Sequence, residues 1–160
     1  MNPGIDGQLR LDDFGQTIGP RTSAAEFAES PAGAKGKIRY AAEFTEVELG
    51  ACKLQGSRCA AVMVRFVGPK LSRIDVMLPL AGDEKGWANW TMDGEMRRKA
   101  AHDKWGEEVF GVKLEPTPMD GIIPFEITAE YPRSAVTPWG RVASYYDSKG
   151  GFAYLCVHYG

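Results

Sequence analysis

The stretch that decides the fold is Trp139-Gly-Arg-Val-Ala-Ser-Tyr-Tyr-Asp-Ser-Lys-Gly-Gly-Phe-Ala-Tyr-Leu-Cys-Val-His-Tyr-Gly160. Two runs of aromatic and β-branched residues flank Asp147-Ser-Lys-Gly-Gly151, where polar residues and paired glycines supply the positive φ angles of a tight reversal. The stretch reads as a β-hairpin, and a hairpin commits its strands to antiparallel pairing.

Working upstream, Ile74, Val76 and Leu78 alternate with Arg73, Asp75 and Met77. From Cys59 to Val67, the set Val62, Val64 and Phe66 alternates with Ala61, Met63 and Arg65. This period of two marks half-buried strands, and Gly68-Pro69-Lys70 between them predicts a second hairpin. Residues 37–49 read as a further strand with Ile38, Tyr40, Ala42 and Phe44 on one face. Val47 and Leu49 fall on the opposite parity, so a bulge or strand end is expected near Thr45.

A helix is predicted over 91–110, capped by Thr91 and closed by Gly111. Arg98, His102, Trp105 and Val109 share one side of it, and Met92, Met96 and Phe110 another, so one side should meet the sheet and the other a loop. Residues 112–138 carry Pro116, Pro118, Pro124, Pro132 and Pro138, which leaves only 125–131 for a strand. Residues 1–36 read as a loop-rich arm with one short helix, capped at Thr22 or Ser23 and ended at Ser30-Pro31. The expected architecture is α+β: a mainly antiparallel sheet of about five to six strands with one long helix and one short N-terminal helix, helices on one face. Residues 1–160 form one domain in this reading.

Composition excludes several classes. With 44% hydrophobic and 25% charged residues the chain is neither disordered nor fibrous. A formal charge of −2 gives no field to gather nucleic acid. Cys52, Cys59 and Cys156 are odd in number and form no Cys-x-x-Cys pair, which argues against a disulfide framework or structural zinc. Met1-Asn-Pro-Gly-Ile-Asp-Gly7 is no signal sequence and no run is long enough to span a membrane, so the expectation is a cytoplasmic protein.

Ser144, Cys156, His158 and His102 are the residues on which catalysis could rest. If the hairpin turn centres on Lys149, Ser144 and His158 share a face but stand roughly 13 Å apart. If it centres between Lys149 and Gly150, they project from opposite faces. Either register defeats a Ser–His dyad. Cys156 and His158, two apart on one strand, can approach each other, yet nothing in the sequence depresses the thiol pKa. His102 reads as a packing residue on its helix. Two histidines without metal-ligand spacing, and glycines that form no phosphate loop, imply no metal, no cofactor and no enzyme.

Features that suit protein binding remain. Glu43, Glu46 and Glu48 place three carboxylates where a basic partner could be steered in, and Trp87, Trp90, Trp105 and Trp139 could serve as anchors or core plugs. An alternative is a small-molecule binder or small enzyme, with His102, Trp105, Tyr145 and Tyr154 lining a pocket between the helix and the sheet.

Three blocks, Thr17-Ile-Gly-Pro-Arg-Thr-Ser-x-x-Glu-Phe27-x-x-Ser30-Pro31, Arg97-Arg98-Lys99-x-x-His102-Asp103-x-Trp105 and Trp139-Gly-Arg-Val-x-Ser-Tyr-Tyr-Asp147-x-Lys149-Gly-Gly, resemble a group of small bacterial proteins. In size and composition these are similar to immunity proteins that neutralise a toxin from a neighbouring cell. The resemblance implies a protein whose partner is a cognate toxin, bound so as to occlude the toxin's active site.

Overall fold

The hairpin that opened the sequence reading lies inside one large sheet. The computed structural model describes residues 5–160, apart from the side chain of Glu84; the first four residues of the predicted arm lie outside the described residues. In chain order the strands and helices are β1 (Leu9–Leu11), β2 (Gln16–Ile18), α1 (Ala24–Glu29), α2 (Pro31–Lys35), β3 (Lys37–Tyr40), β4 (Thr45–Leu54), β5 (Ser57–Val67), β6 (Lys70–Met77), α3 (Met92–Phe110), β7 (Glu115–Pro116), β8 (Arg133–Thr137), β9 (Gly140–Asp147) and β10 (Phe152–Tyr159). Short 3-10 turns at Asp12–Phe14 and Asp83–Asn89 complete the set. The sheet runs β2-β1-β4-β5-β6-β10-β9-β8-β7, with β3 beside β1 on the free edge of β4. Every pairing is antiparallel.

The α+β class holds, but the sheet has ten strands among the described residues rather than five or six. Two short strands were hidden in the glycine-rich arm, where β1 and β2 bury Leu9, Leu11 and Ile18. The predicted strand over 37–49 is two strands. Its parity slip marks a full reversal, closed by the Ala41 amide donating to the Phe44 carbonyl at 2.9 Å. Residues 125–131 form no strand. The strands of the proline-rich stretch are instead the two-residue β7 and its partner β8, the latter set between Pro132 and Pro138. Ser30 ends α1 and also caps α2.

The long helix keeps its predicted ends. Thr91 accepts from the Gly94 amide, and Gly111 closes the helix in the left-handed conformation. Its inner side lies on β9 and β10, with Trp105, Val109 and Phe110 against Leu155, Val157 and Val142 in one core. Phe27 of α1 packs on Phe66 at 5.4 Å between ring centres, on the same side of the sheet. All three helices thus cover one face. Among the described residues no α-helix covers the other face.

A buried ionic clamp fixes the Asp83–Asn89 segment to this body. Arg98 donates to Glu95 at 3.1 Å, to the Leu78 carbonyl at 2.6 Å and to Asp83, while Glu95 accepts from the Ala153 amide at 3.0 Å. Each partner uses the others' hydrogen-bonding capacity, which is what allows charges this deep.

Candidate functional site

The residues expected to form a pocket between helix and sheet do not meet. His102 is fully buried on the helix-bearing face, its Nε2 accepting from the Leu78 amide at 2.9 Å. Trp105 is buried beside it and donates to the Ser57 hydroxyl at 3.0 Å. Tyr145 and Tyr154 are directly opposed on β9 and β10 and stack at 6.0 Å on the helix-free face. A ten-strand sheet separates the two pairs.

The acidic trio is divided as well. Glu46 is buried and bonded by both Arg39 and Arg65, with Arg65 Nε at 2.9 Å and its guanidinium 4.0 Å from the Phe44 ring centre. Burial works to raise the Glu46 carboxyl, but the Arg65 and Arg39 bonds outweigh it and hold it below the usual range. Glu43 and Glu48 remain exposed. Glu48 stands directly across from Lys37, so these carboxylates alternate with basic side chains rather than forming one acidic patch.

The hairpin register centres between Lys149 and Gly150, pairing Ser144 with Leu155 and His158 with Arg141. Ser144 therefore faces α3 and His158 the opposite side, as that register requires. Cys156 Sγ does approach His158 Nε2, at 3.1 Å. Burial, reinforced by Asp75, pushes the Cys156 thiol up, and burial together with Arg141 and Arg73 pushes the His158 imidazole down. Both are neutral near pH 7. The pair therefore rests as a thiol beside a neutral imidazole, not as a thiolate–imidazolium pair.

What the register assembles instead is a row of charge. Arg39, Glu46, Arg65, Arg73, His158 and Arg141 are successive cross-strand neighbours from β3 to β9, all on the helix-free face. Arg73 is held by Asp75 through bonds of 2.9 to 3.1 Å. Beside this row a cavity of about 320 Å³ is lined by Arg73, Arg141, His158, Cys156 and Tyr145, with Ser134 and Thr117 at its rim. Among the described residues no group of three or more His, Cys, Asp or Glu is placed to hold a metal ion.

A second exposed feature lies between β7 and β8. Asp120 and Gly121 both have positive φ, 54° and 75°, and Met119 and Ile122 exchange backbone bonds of 3.0 Å around them, a two-residue turn of the hairpin type. The base of this loop is tied by the Thr117 amide donating to the Pro132 carbonyl at 2.9 Å and by the Tyr131 hydroxyl donating to the Thr117 carbonyl at 2.6 Å. Met119, Ile122 and Ile123 are each more than half exposed and Phe125 is fully exposed. No sequence pattern singled these four out, because the prolines around them read only as irregular chain. Four large apolar side chains within seven residues are nonetheless a visible signal once the segment is known to be outside the core.

Fold and site together define an α+β protein with a one-sided helical layer, a charged open sheet face and an anchored apolar loop. Compared with known proteins, the chain matches no family model, no curated protein and no solved structure. Among the described residues no helix is long and apolar enough to cross a membrane.

Proposed function

We propose that this is a cytoplasmic protein-binding protein that neutralises a cognate toxin, docking on it through the 119–125 loop and occluding its active site. The observation that carries the binding role is the exposure of Met119, Ile122, Ile123 and Phe125 on a loop tied at its base. A loop whose backbone is already tied at its base and turn loses less chain entropy on docking, and large apolar side chains presented on it are suited to anchor an interface. The resemblance of the three sequence blocks to immunity proteins supports a toxin as the partner. Glu43 and Glu48 are free to add contacts to a basic rim, whereas Glu46 is committed to its two arginines.

The test mixes the purified protein with the product of a toxin gene adjacent to its own and measures binding by calorimetry and toxin activity in parallel. A 1:1 complex with Kd at about nanomolar or below and loss of toxin activity is the expected result. Phe125→Ser should weaken it by about tenfold or more. No complex between the two folded proteins refutes the proposal.

A further inference from the structure

The geometry points to a second, separate site: the helix-free face binds a phosphate group, seated where Arg73, His158 and Arg141 meet on three adjacent strands. His158 is directly across from Arg73 on one side and from Arg141 on the other. Side chains opposed in this way stand about 5 Å apart at Cβ, so the neutral His158 ring sits between two guanidinium groups, and cations gathered along one rung repel. Elsewhere in the row the sheet answers that repulsion with acid, Glu46 for Arg39 and Arg65, Asp75 for Arg73. Toward Arg141 that compensation stops. Its other cross-strand neighbour is Val136, and none of the residues lining the adjoining cavity is Asp or Glu.

The side chains there are donors in a preset arrangement. Asp75 engages Nε and Nη2 of Arg73, which fixes the guanidinium plane and leaves Nη1 for a ligand. The hydroxyls of Ser134 and Thr117, 2.7 Å apart, sit at the rim, and Tyr145 forms one wall. Donors from β6, β10, β9 and the rim approach from several directions, which suits a tetrahedral anion better than a planar carboxylate. A volume of about 320 Å³ is at the small end for ligand cavities, so the ligand is a small phosphate ester rather than a polymer. Tyr145 offers a flat surface for its organic part.

The test is an amide NMR titration of the full chain with inorganic phosphate, and separately with acetate, at fixed ionic strength and pH 7. Expected are saturable shifts confined to residues 73–75, 117, 134, 141–145 and 156–158, with Kd in the millimolar range or tighter. Arg141→Gln, an exposed position, should keep the fold and weaken phosphate by about tenfold or more, as loss of a charge-assisted bond does. Lys149→Gln at the hairpin tip should change nothing. Absence of saturable shifts, equal affinity for acetate, or unchanged phosphate binding by Arg141→Gln overturns the site. None of these outcomes bears on toxin binding through the 119–125 loop, which the calorimetric test reads separately.

Discussion

Lowering the pH from 7 to 5 should destabilise this protein chiefly through one residue, His102. The imidazole is fully buried, and because Nε2 accepts from the Leu78 amide the ring carries its proton on Nδ1, where it has no partner. Burial, then the positive charges of Arg98 and Lys99, push its pKa down from 6.5 to about 3. In the unfolded chain the ring protonates below about 6.5, whereas in the folded protein it stays neutral until about 3. Between those values the unfolded state binds more protons, so the stability His102 supplies is complete above pH 6.5 and is lost as pH falls toward 3. Each tenfold difference in proton affinity is worth about 1.4 kcal/mol, which makes the whole effect roughly 5 kcal/mol and the part lost between pH 7 and pH 5 about 2 kcal/mol. Against a typical total of about 5–15 kcal/mol that is a large share. The assay is urea unfolding across this pH range, in parallel on the native protein and on His102→Gln, whose side-chain oxygen can accept from the same amide. His158 titrates in both proteins and cancels in the comparison. The native protein should lose about 2 kcal/mol more than the variant between pH 7 and pH 5. Equal losses would mean that His102 accepts a proton while folded, and the argument from its burial would fail.

Three other perturbations follow from the packing. Glu46→Gln removes the carboxylate shared by Arg39 and Arg65; because both guanidinium groups reach solvent, the expected cost is about 1–2 kcal/mol in urea unfolding rather than that of a fully buried pair, and a cost near zero would show the cluster to be idle. Gly140→Ala places a Cβ 1.9 Å from the His158 carbonyl oxygen across the β9–β10 ladder, so a loss of more than about 3 kcal/mol or failure to fold is expected, and a thermal midpoint equal to that of the native protein would contradict the register. Burial raises the thiols of Cys52 to about 11 and Cys59 to about 12 and pushes Cys156 up as well, so a chromogenic disulfide reagent at pH 7 should find no fast-reacting thiol in the folded protein and all three after denaturation.

What the sequence could reveal, and what it could not, divides along the range of the interactions. The β9–β10 and β5–β6 hairpins were legible because a turn signal and a period-two pattern lie within about twenty residues of each other, and α3 was legible from Thr91 and Gly111, whose capping is local chemistry. β1 and β2 escaped because three-residue strands are too short to show a period, and their burial depends on an edge supplied by Leu54. β8 escaped because Arg133-Ser-Ala-Val-Thr137 between two prolines has no apolar alternation. The same limit governs the sites. Glu43, Glu46 and Glu48 looked like one acidic patch in the sequence, yet cross-strand pairing gives Glu46 to Arg39 and Arg65, residues seven and nineteen positions away. Arg73, Arg141 and His158 looked unrelated, and only the order β6-β10-β9 sets them side by side. A charged rung is a property of register, since shifting one strand by a single residue would turn its side chains to the other face. The buried pairs on the helix-bearing side, Leu155 with Val76 and with Ser144, therefore also fix the charges on the open side. Core packing and site geometry are here two faces of the same pairing.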